Sequence, residues 1–521
     1  MRLSFEQGYF VMHVTPECER PIFTNGLREW EKIDARTFRT NDLRVAKVYR
    51  AHADQKAERV FSKVFLKRYQ APDLSRLDFL DPHQIDGVRH ILTRSRSYLA
   101  HAPGAGKTAQ AICAATLTDL EAPSLFIVPP SLTANWGHEI EKVGKWLGLT
   151  PDFSTIGTSA HRDDVNWKAS FIICPDSMLT APWVLEELAK IKFKFLAVDE
   201  ASRFKEPLAK RTIALFGGAA QGFKARGLIY GPKHVVLMDG SPMPNRPMEL
   251  WAPTFAMVPE AIDFMPRQDF GMRYCGPTRN DFGGFEFNFA SNEDELRERL
   301  HKDFMHVVHE NALNHPERRR SILFMSEDPR TAAHKKWDKA NLKGLDVGAL
   351  DDDIKDTQLA NWRHELGVRK VPWAVKYINE RLKDKNESIL VFAWHRDVCL
   401  ELFASLPGKT TGLVIGGTPA NVREHFFKRF QDGKLNCIVG NIAAMGRGHN
   451  LQRADRVIFV EPSWCGETNI QAEKRASRRG STKEFIRCEY LCAPGSIDEI
   501  VLSSIFSKDR SVNKIIGGAN G

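Results

Sequence analysis

One stretch constrains this chain more than any other. The apolar run Ser97-Tyr-Leu-Ala-His101 leads through Ala102-Pro-Gly-Ala-Gly-Lys-Thr108 into Ala109-Gln-Ala-Ile-Cys-Ala-Ala-Thr-Leu117. The first part reads as a buried strand and the last as a helix. Gly104 and Gly106 let the joining loop turn tightly and aim its N–H groups at an anion. The helix start adds the positive end of its dipole. Residues Ala102, Pro103, Gly104, Ala105, Gly106, Lys107 and Thr108 are therefore expected to cradle phosphate. Lys107 would reach the terminal phosphates of ATP, and Thr108 would place a hydroxyl on Mg2+. His101 stands where such loops usually carry their first glycine. A glycine-rich turn without chemistry is the competing reading, and the joint occurrence of strand, G-x-G-K-T and helix weighs against it.

A phosphate cradle of this kind needs an acidic partner. Phe195-Leu-Ala-Val198 is an apolar run ending in Asp199-Glu200. A strand end delivers its last side chains to the edge of a parallel sheet where the phosphate loop also lies. Asp199 would hold Mg2+, directly or through water. Glu200 would orient or deprotonate the attacking water.

Short apolar runs followed by helical stretches recur from about residue 80: 97–101, 124–128, 171–174, 195–200 and 235–239. They restart at 389–392, 412–416, 436–440, 456–460 and 485–491. This alternation predicts an α/β fold with two parallel sheets flanked by helices. The expected division is a small α+β module at 1–75, a first lobe at 76–260, a helical insertion and linker at 261–370 and a second lobe at 371–521. The first module should hold a strand at Gly8–Val14, a hairpin around Asp34-Ala35, and a helix from Thr40-Asn41 with Leu43, Ala46, Tyr49, Ala53, Ala57 and Val60 on one face.

Composition enters as a boundary. With 42% hydrophobic and 27% charged residues the chain is ordinary for a globular protein. No run approaches the ~20 apolar residues of a membrane span, and the start has no secretory pattern. The nine cysteines form no C-x-x-C pair and read as reduced core thiols, Cys488 and Cys492 on one strand face. The net charge of +9 permits a polyanionic partner. Residues 1–75 carry 14 Lys and Arg against 10 Asp and Glu, so part of that excess lies in the first module.

Further motifs follow in order. Leu80-Asp-Pro-His-Gln84 precedes the loop. Leu125-Phe-Ile-Val-Pro-Pro-Ser-Leu132 with Asn135-Trp136 and Glu139, then Asp199-Glu-Ala-Ser202, then Asp239-Gly-Ser-Pro242 with Asn245 and Glu249-Leu-Trp251, complete the first half. The second half carries Val391-Phe392, Trp394-His395, Gly416-Gly-Thr-Pro-Ala-Asn-Val-Arg423, Ala444-Met-Gly-Arg-Gly-His-Asn-Leu451, Pro462, Trp464 and Gln471-Ala-Glu-Lys-Arg-Ala-Ser-Arg478. Over about residues 77–505 this set resembles superfamily 2 helicases of the Swi/Snf type, which are DNA-dependent ATPases and translocases with two RecA-like P-loop lobes. Phe392-Ala-Trp-His, the Gly-Thr-Pro-Ala run and the linker around Arg363-His-Glu-Leu-Gly most resemble the HARP-type annealing-helicase branch in a compact, bacterial or phage-like form. The first module, through Trp30, Phe38 and Arg39-Thr40, is similar to that branch's DNA-binding appendage.

The resemblance implies roles. Gln84 would hydrogen-bond the adenine edge. Arg475 and Arg478, three apart on one helix face, would be arginine fingers. ATP would sit between the lobes, with Gly240, Ser241 and Gln471 coupling hydrolysis to lobe closure. Ser131, Asn135, Arg447, His449 and Asn450 would contact DNA phosphates, and Arg318-Arg-Arg320 is either a basic patch or solvated surface. Trp136 and Trp464 either stack bases or pack. Several positions depart from the family besides His101: Asp81 and His83 stand where it often has Arg and Tyr, Ser202 and Ser477 where it usually has His, and Ser481 where it usually has Gln.

The expected protein is a monomeric DNA motor acting on duplex, forked or branched DNA, with RNA not excluded and no membrane role. Its place would be the cytoplasm of a bacterium or virus-infected host, or the nucleus of a eukaryote. The alternatives are a strand-separating DNA or RNA helicase and a non-hydrolysing clamp switched by ATP.

Overall fold

The computed structural model describes residues 2–6, 9–14, 31–33, 37–40, 46, 49, 52, 66–118, 123–157, 161–220, 223–279, 283–309, 312–313, 315–342, 357–445, 451–477, 481 and 483–516. The chain forms two compact units, Met1–Val308 with Lys514–Gly521, and His309–Asn513.

The first unit opens with β1 (Arg2–Glu6), β2 (Tyr9–His13), β3 (Glu31–Lys32) and β4 (Thr37–Thr40). They pair antiparallel in the order β1-β2-β4-β3. β2 and the β3–β4 hairpin fall where the sequence places them, whereas β1 was not anticipated. Of the helix expected after Thr40, only Ala46, Tyr49 and His52 lie within the described residues.

The strands that follow are β5 (Arg96–His101), β6 (Ser124–Val128), β7 (Phe153–Thr155), β8 (Phe171–Pro175), β9 (Phe195–Val198), the hairpin β10 (Gly218–Ala220) and β11 (Phe223–Ala225), β12 (His234–Asp239), the hairpin β13 (Thr278–Arg279) and β14 (Phe285–Glu286), and β15 (Met305–Val308). Seven of them form a parallel sheet in the order β15-β5-β12-β9-β6-β8-β7. The five inner strands β5, β12, β9, β6 and β8 are almost wholly buried, as uninterrupted apolar runs covered by helices on both faces must be, while the edge strands β7 and β15 are partly exposed. Helices α1 (Pro82–Leu92), α2 (Lys107–Thr118) and α3 (Thr133–Leu147) supply Val88, Ile91, Ile112, Trp136 and Ile140 to a core with Phe126, Phe171, Phe195 and Val236.

The second unit holds β16 (Glu317–Phe324), β17 (Ile389–Ala393), β18 (Thr411–Val414), β19 (Cys437–Asn441), β20 (Arg456–Phe459) and β21 (Phe485–Cys492). They form a parallel sheet in the order β16-β21-β20-β17-β19-β18. These are the two sheets expected. The stretch 261–370 holds helices as anticipated, and it also gives β15 to the first sheet and β16 to the second. The two compact units part inside it, between Val308 and His309. Charged side chains hid β16, which begins Glu317-Arg-Arg-Arg320, a pattern without apolar alternation, whereas β15 is only the four residues Met305-His-Val-Val308. Cys488 and Cys492 are buried free thiols on β21. No helix among the described residues is long and apolar enough to cross a membrane.

Helix α4 (Thr357–Leu382) is fixed to the helix Ile497–Ile516 by a buried ion pair and to β21 by a hydrogen bond. Lys370 Nζ donates to Asp498 Oδ2 and to the Leu491 carbonyl, each at 2.9 Å. Lys370→Ala strands a carboxylate in the core. It should cost about 3–5 kcal/mol, read as an early unfolding step of the full chain in urea, and a wild-type unfolding curve would contradict it.

Candidate nucleotide site

The loop after β5 has the shape its glycines predict. Gly104 and Gly106 adopt φ of 87° and 76°, in the left-handed region. A Cβ on Gly106 would lie 1.9 Å from Gln84 Nε2, so a side chain there would displace the Gln84 amide as well as strain the left-handed backbone. Helix α2 starts at the next residue, and the N–H groups of its first turn lack intrahelical partners. Lys107 Nζ bends back over the loop to the His101 carbonyl at 2.7 Å and the Ala102 carbonyl at 3.5 Å.

Gln84 has work beyond the adenine role expected for it. Its Oε1 accepts from the Asp81 N–H at 2.9 Å, closing a capping box on α1. Its Nε2 donates to the Ala105 carbonyl at 3.2 Å, and Gln110 Nε2 donates to the same oxygen at 2.9 Å. The amide retains one donor and one acceptor position for a ligand.

Strands β5, β12 and β9 are neighbours, and their C-terminal ends bring three carboxylates to the edge that carries this loop. Asp199 is buried. Its Oδ1 accepts from the Glu200 N–H at 3.0 Å and its Oδ2 from Trp136 Nε1 at 3.1 Å. Burial and then the Glu200 charge push its pKa up to about 6, against the pull of Lys107. Glu200 holds φ of 50°, a strained setting for a side chain of its size. Asp239 is buried at the end of β12. Its Oδ2 accepts from the Ser202 N–H and its Oδ1 from the Ser241 N–H, each at 2.8 Å. Burial and then Glu200 push it up to about 8.

Three of these features escaped the sequence reading: the indole bond to Asp199, the Asp239 clamp, and the loop-holding role of Gln84. Asp239 carried a usable signal, because Val-Val-Leu-Met-Asp repeats the pattern of an apolar strand ending in acid. The loop at Gly240 also approaches the phosphate loop, since a Cβ there would stand 3.0 Å from Pro103 Cγ. Thr108 and Asp199 offer hard oxygen donors of the kind Mg2+ takes. A divalent cation beside Asp199 would favour its charged form against the burial and the Glu200 repulsion that now raise its pKa.

Ser131 and Asn135 are exposed around the start of α3, while Trp136 beside them is buried, which resolves that tryptophan as packing rather than base stacking. Trp464 is buried too.

In the second unit, helix α5 (Gly466–Glu473) carries Gln471, half-buried, and ends on Glu473. Burial would raise the Glu473 pKa, but Arg320 and Arg318 hold it below the ordinary range. Arg318 Nη1 lies 2.6 Å and Arg320 Nε 2.8 Å from its oxygens, and the Tyr490 hydroxyl donates at 2.8 Å. The basic patch at 318–320 is thereby corrected: two of its three charges are spent on one buried carboxylate. Arg319 pairs with Glu317 and lies over the Phe485 ring.

The expected helix face joining Arg475 and Arg478 is corrected as well. The helix stops at Glu473, and buried Arg475 sits in the following turn with its carbonyl accepting from the Leu451 N–H at 2.9 Å. The anchoring of Glu473 and that long-range bond override helix continuation. Arg447, His449, Asn450 and Arg478 lie outside the described residues.

The linker motif and the second-lobe motifs meet in this unit. The Arg363 guanidinium lies 5.4 Å from the Trp394 ring and 4.9 Å from the Trp464 ring, and it donates to the Pro462 carbonyl. His395 Nδ1 is 2.7 Å from Glu461 Oε1.

The SNF2-related domain matches residues 83–309, and the helicase conserved C-terminal domain matches residues 370–480. The chain therefore carries an SNF2-related domain followed by a helicase C-terminal domain. It is 29% identical over 85% of its length to the SWI/SNF-related matrix-associated actin-dependent regulator of chromatin subfamily A-like protein 1 of Xenopus laevis, covering 45% of that protein. It is 28% identical over 86% of its length to the DNA annealing helicase and endonuclease ZRANB3 of Bos taurus, covering 41% of it. The chain thus spans under half the length of these relatives. The Sulfolobus solfataricus SWI2/SNF2 ATPase core in complex with dsDNA aligns over 86% of this chain and 99% of its own, at 19% identity and a TM-score of 0.40.

Ser202 and Asp239 form a linked pair: Ser202 bonds the Asp239 carboxylate through its backbone N–H and its side chain, and the same carboxylate holds the Gly240-Ser241 loop through the Ser241 N–H. That carboxylate holds its proton longer in the folded chain than in the unfolded one. Stability therefore falls as pH rises from the ordinary carboxylate range towards about 8, because only the unfolded state releases this proton across the window. Asp239→Asn should flatten that slope in urea titrations run between roughly pH 5 and pH 8 without nucleotide. Parallel wild-type and variant profiles would refute the assignment.

Proposed function

We propose that this chain is an ATP-hydrolysing DNA translocase that remodels duplex, forked or branched DNA, with annealing or fork-reversing activity. The observation that carries the reading is the single sheet edge where Lys107, Thr108, Asp199 and Glu200 converge, within a chain that matches both the SNF2-related and the helicase C-terminal families. One of its relatives is named a DNA annealing helicase, which supports the choice of outcome.

In this reading the Ala102–Thr108 loop binds the phosphates through backbone N–H groups and Lys107. Thr108 and Asp199 would hold Mg2+, which when bound would supply charge neutralisation at the phosphates. Glu200 orients or deprotonates the attacking water, and its strained backbone fixes where its carboxylate points. Arg475 and Arg478 stabilise charge on the transferring phosphoryl group. Gly240, Ser241 and Gln471 couple hydrolysis to movement. Ser131, Asn135, Arg447, His449 and Asn450 contact phosphates rather than bases, so binding is insensitive to sequence and sensitive to salt. Residues 1–75 are a DNA-binding appendage that biases substrate choice.

ATP turnover should rise with duplex or forked DNA at fixed salt, and an ATPase rate unmoved by duplex, single-stranded and forked DNA alike would overturn the reading. Lys107→Ala should abolish turnover. Arg475→Ala should lower it by about 10³-fold or more while nucleotide still binds. Strand annealing without displacement of a tailed duplex separates this function from that of a strand-separating helicase.

A further inference from the structure

Trp136 lies where the proposed DNA-contacting loop meets the proposed metal ligand. Pro130–Leu132 form a short turn and α3 begins at Thr133. Ser131 and Asn135 face solvent, and Trp136 turns inward to 1% exposure. Its ring packs 4.8 Å from Phe126 on β6. An indole has a single hydrogen-bond donor. Here that donor goes to Asp199 Oδ2 at 3.1 Å. The other oxygen of the same carboxylate takes the N–H of Glu200.

Phenylalanine would meet the packing need against Phe126. Only the Asp199 bond needs an indole. The next residue, Gly137, sits so close to β7 that a Cβ would meet the Phe153 ring at 2.9 Å, so this end of α3 is seated tightly on the sheet. A phosphate pulling on Ser131 and Asn135 therefore cannot be absorbed by slack along the helix. It acts on the first turn, and the adjoining side chain is the one that grips Asp199. Hydrogen-bond strength falls steeply as the donor angle is lost, so a small rotation of this turn re-aims the carboxylate.

We propose that Trp136 is a positioning residue that orients Asp199 for the metal and transmits occupancy of Ser131 and Asn135, at the turn that opens α3, to it. The transmission half rests on the DNA reading above; the orientation half does not.

The test uses the full chain with Trp136→Phe and, at the same position, a benzothienyl analogue of tryptophan that keeps the ring shape and lacks the N–H. Binding of a fluorescent ADP analogue is measured with and without Mg2+, binding of duplex DNA is measured separately, and hydrolysis is measured with and without that DNA. The expected result is loss of roughly tenfold or more of the Mg2+-dependent tightening of ADP, the size of a lost bond to a charged group. DNA affinity should stay at the wild-type value while DNA stimulation of hydrolysis falls in parallel. Wild-type Mg2+ dependence in either variant overturns the proposal, as does lost Mg2+ dependence with full DNA stimulation. The isosteric analogue decides the matter should the phenylalanine variant misfold. A wild-type chain without DNA stimulation would sink the translocase reading, and the ADP arm would still decide whether Trp136 orients Asp199.

Discussion

Burying two carboxylates beside a third at one edge of a parallel sheet is the constraint on which the rest of the first unit depends. Asp199 and Asp239 lie out of water next to Glu200, and both carboxyls are pushed upward by burial and by that charge. Such groups are tolerated only where donors surround them. The donors come from four places: the N–H groups of Glu200, Ser202 and Ser241, and the Trp136 indole. They belong to three motifs: Glu200 and Ser202 to Asp199–Ser202, Ser241 to Asp239–Pro242, and Trp136 to the stretch that starts at Leu125. The motifs are thus held together by a shared need to satisfy acid at the sheet edge, and a ligand that changes the charge there changes the reason for their arrangement.

Much of this edge was legible in the sequence. Gly104 and Gly106 were expected at turn positions only glycine suits, and both show positive φ. An apolar strand ending in Asp-Glu was expected beside the loop, and β9 lies one strand away from β5. Local steric rules and strand periodicity carry that much, because they act between residues close in the chain. The contacts that escaped are long-range. The indole of Trp136 and the carboxylate of Asp199 are 63 positions apart, and nothing local marks a tryptophan as a donor rather than as packing.

Charge pattern misled for a related reason. Arg318-Arg-Arg320 reads as a basic surface, since a sequence shows cations and not their partners. β16 lies beside β21, and Arg318 and Arg320 reach Glu473, 155 and 153 positions away. The same carboxylate is invisible within Gln471-Ala-Glu-Lys-Arg475, where the arginines draw attention first. A net charge of +9 is therefore a poor guide to where a polyanion would lie.

The Glu473 cluster also bears on the role proposed for Arg475. A helix continuing through 475 would let that side chain swing with the helix end. Instead the chain is pinned on both sides of it. Glu473 is held by two guanidinium groups and a phenol, and the Arg475 carbonyl is held by Leu451. Ser477 then fastens to the Pro316 carbonyl at 2.7 Å. The backbone around Arg475 is fixed at three points within five residues. A guanidinium carried on so restrained a backbone loses less freedom on meeting a phosphate than one on a fraying helix end, and preorganisation of this sort is where electrostatic catalysis draws its strength.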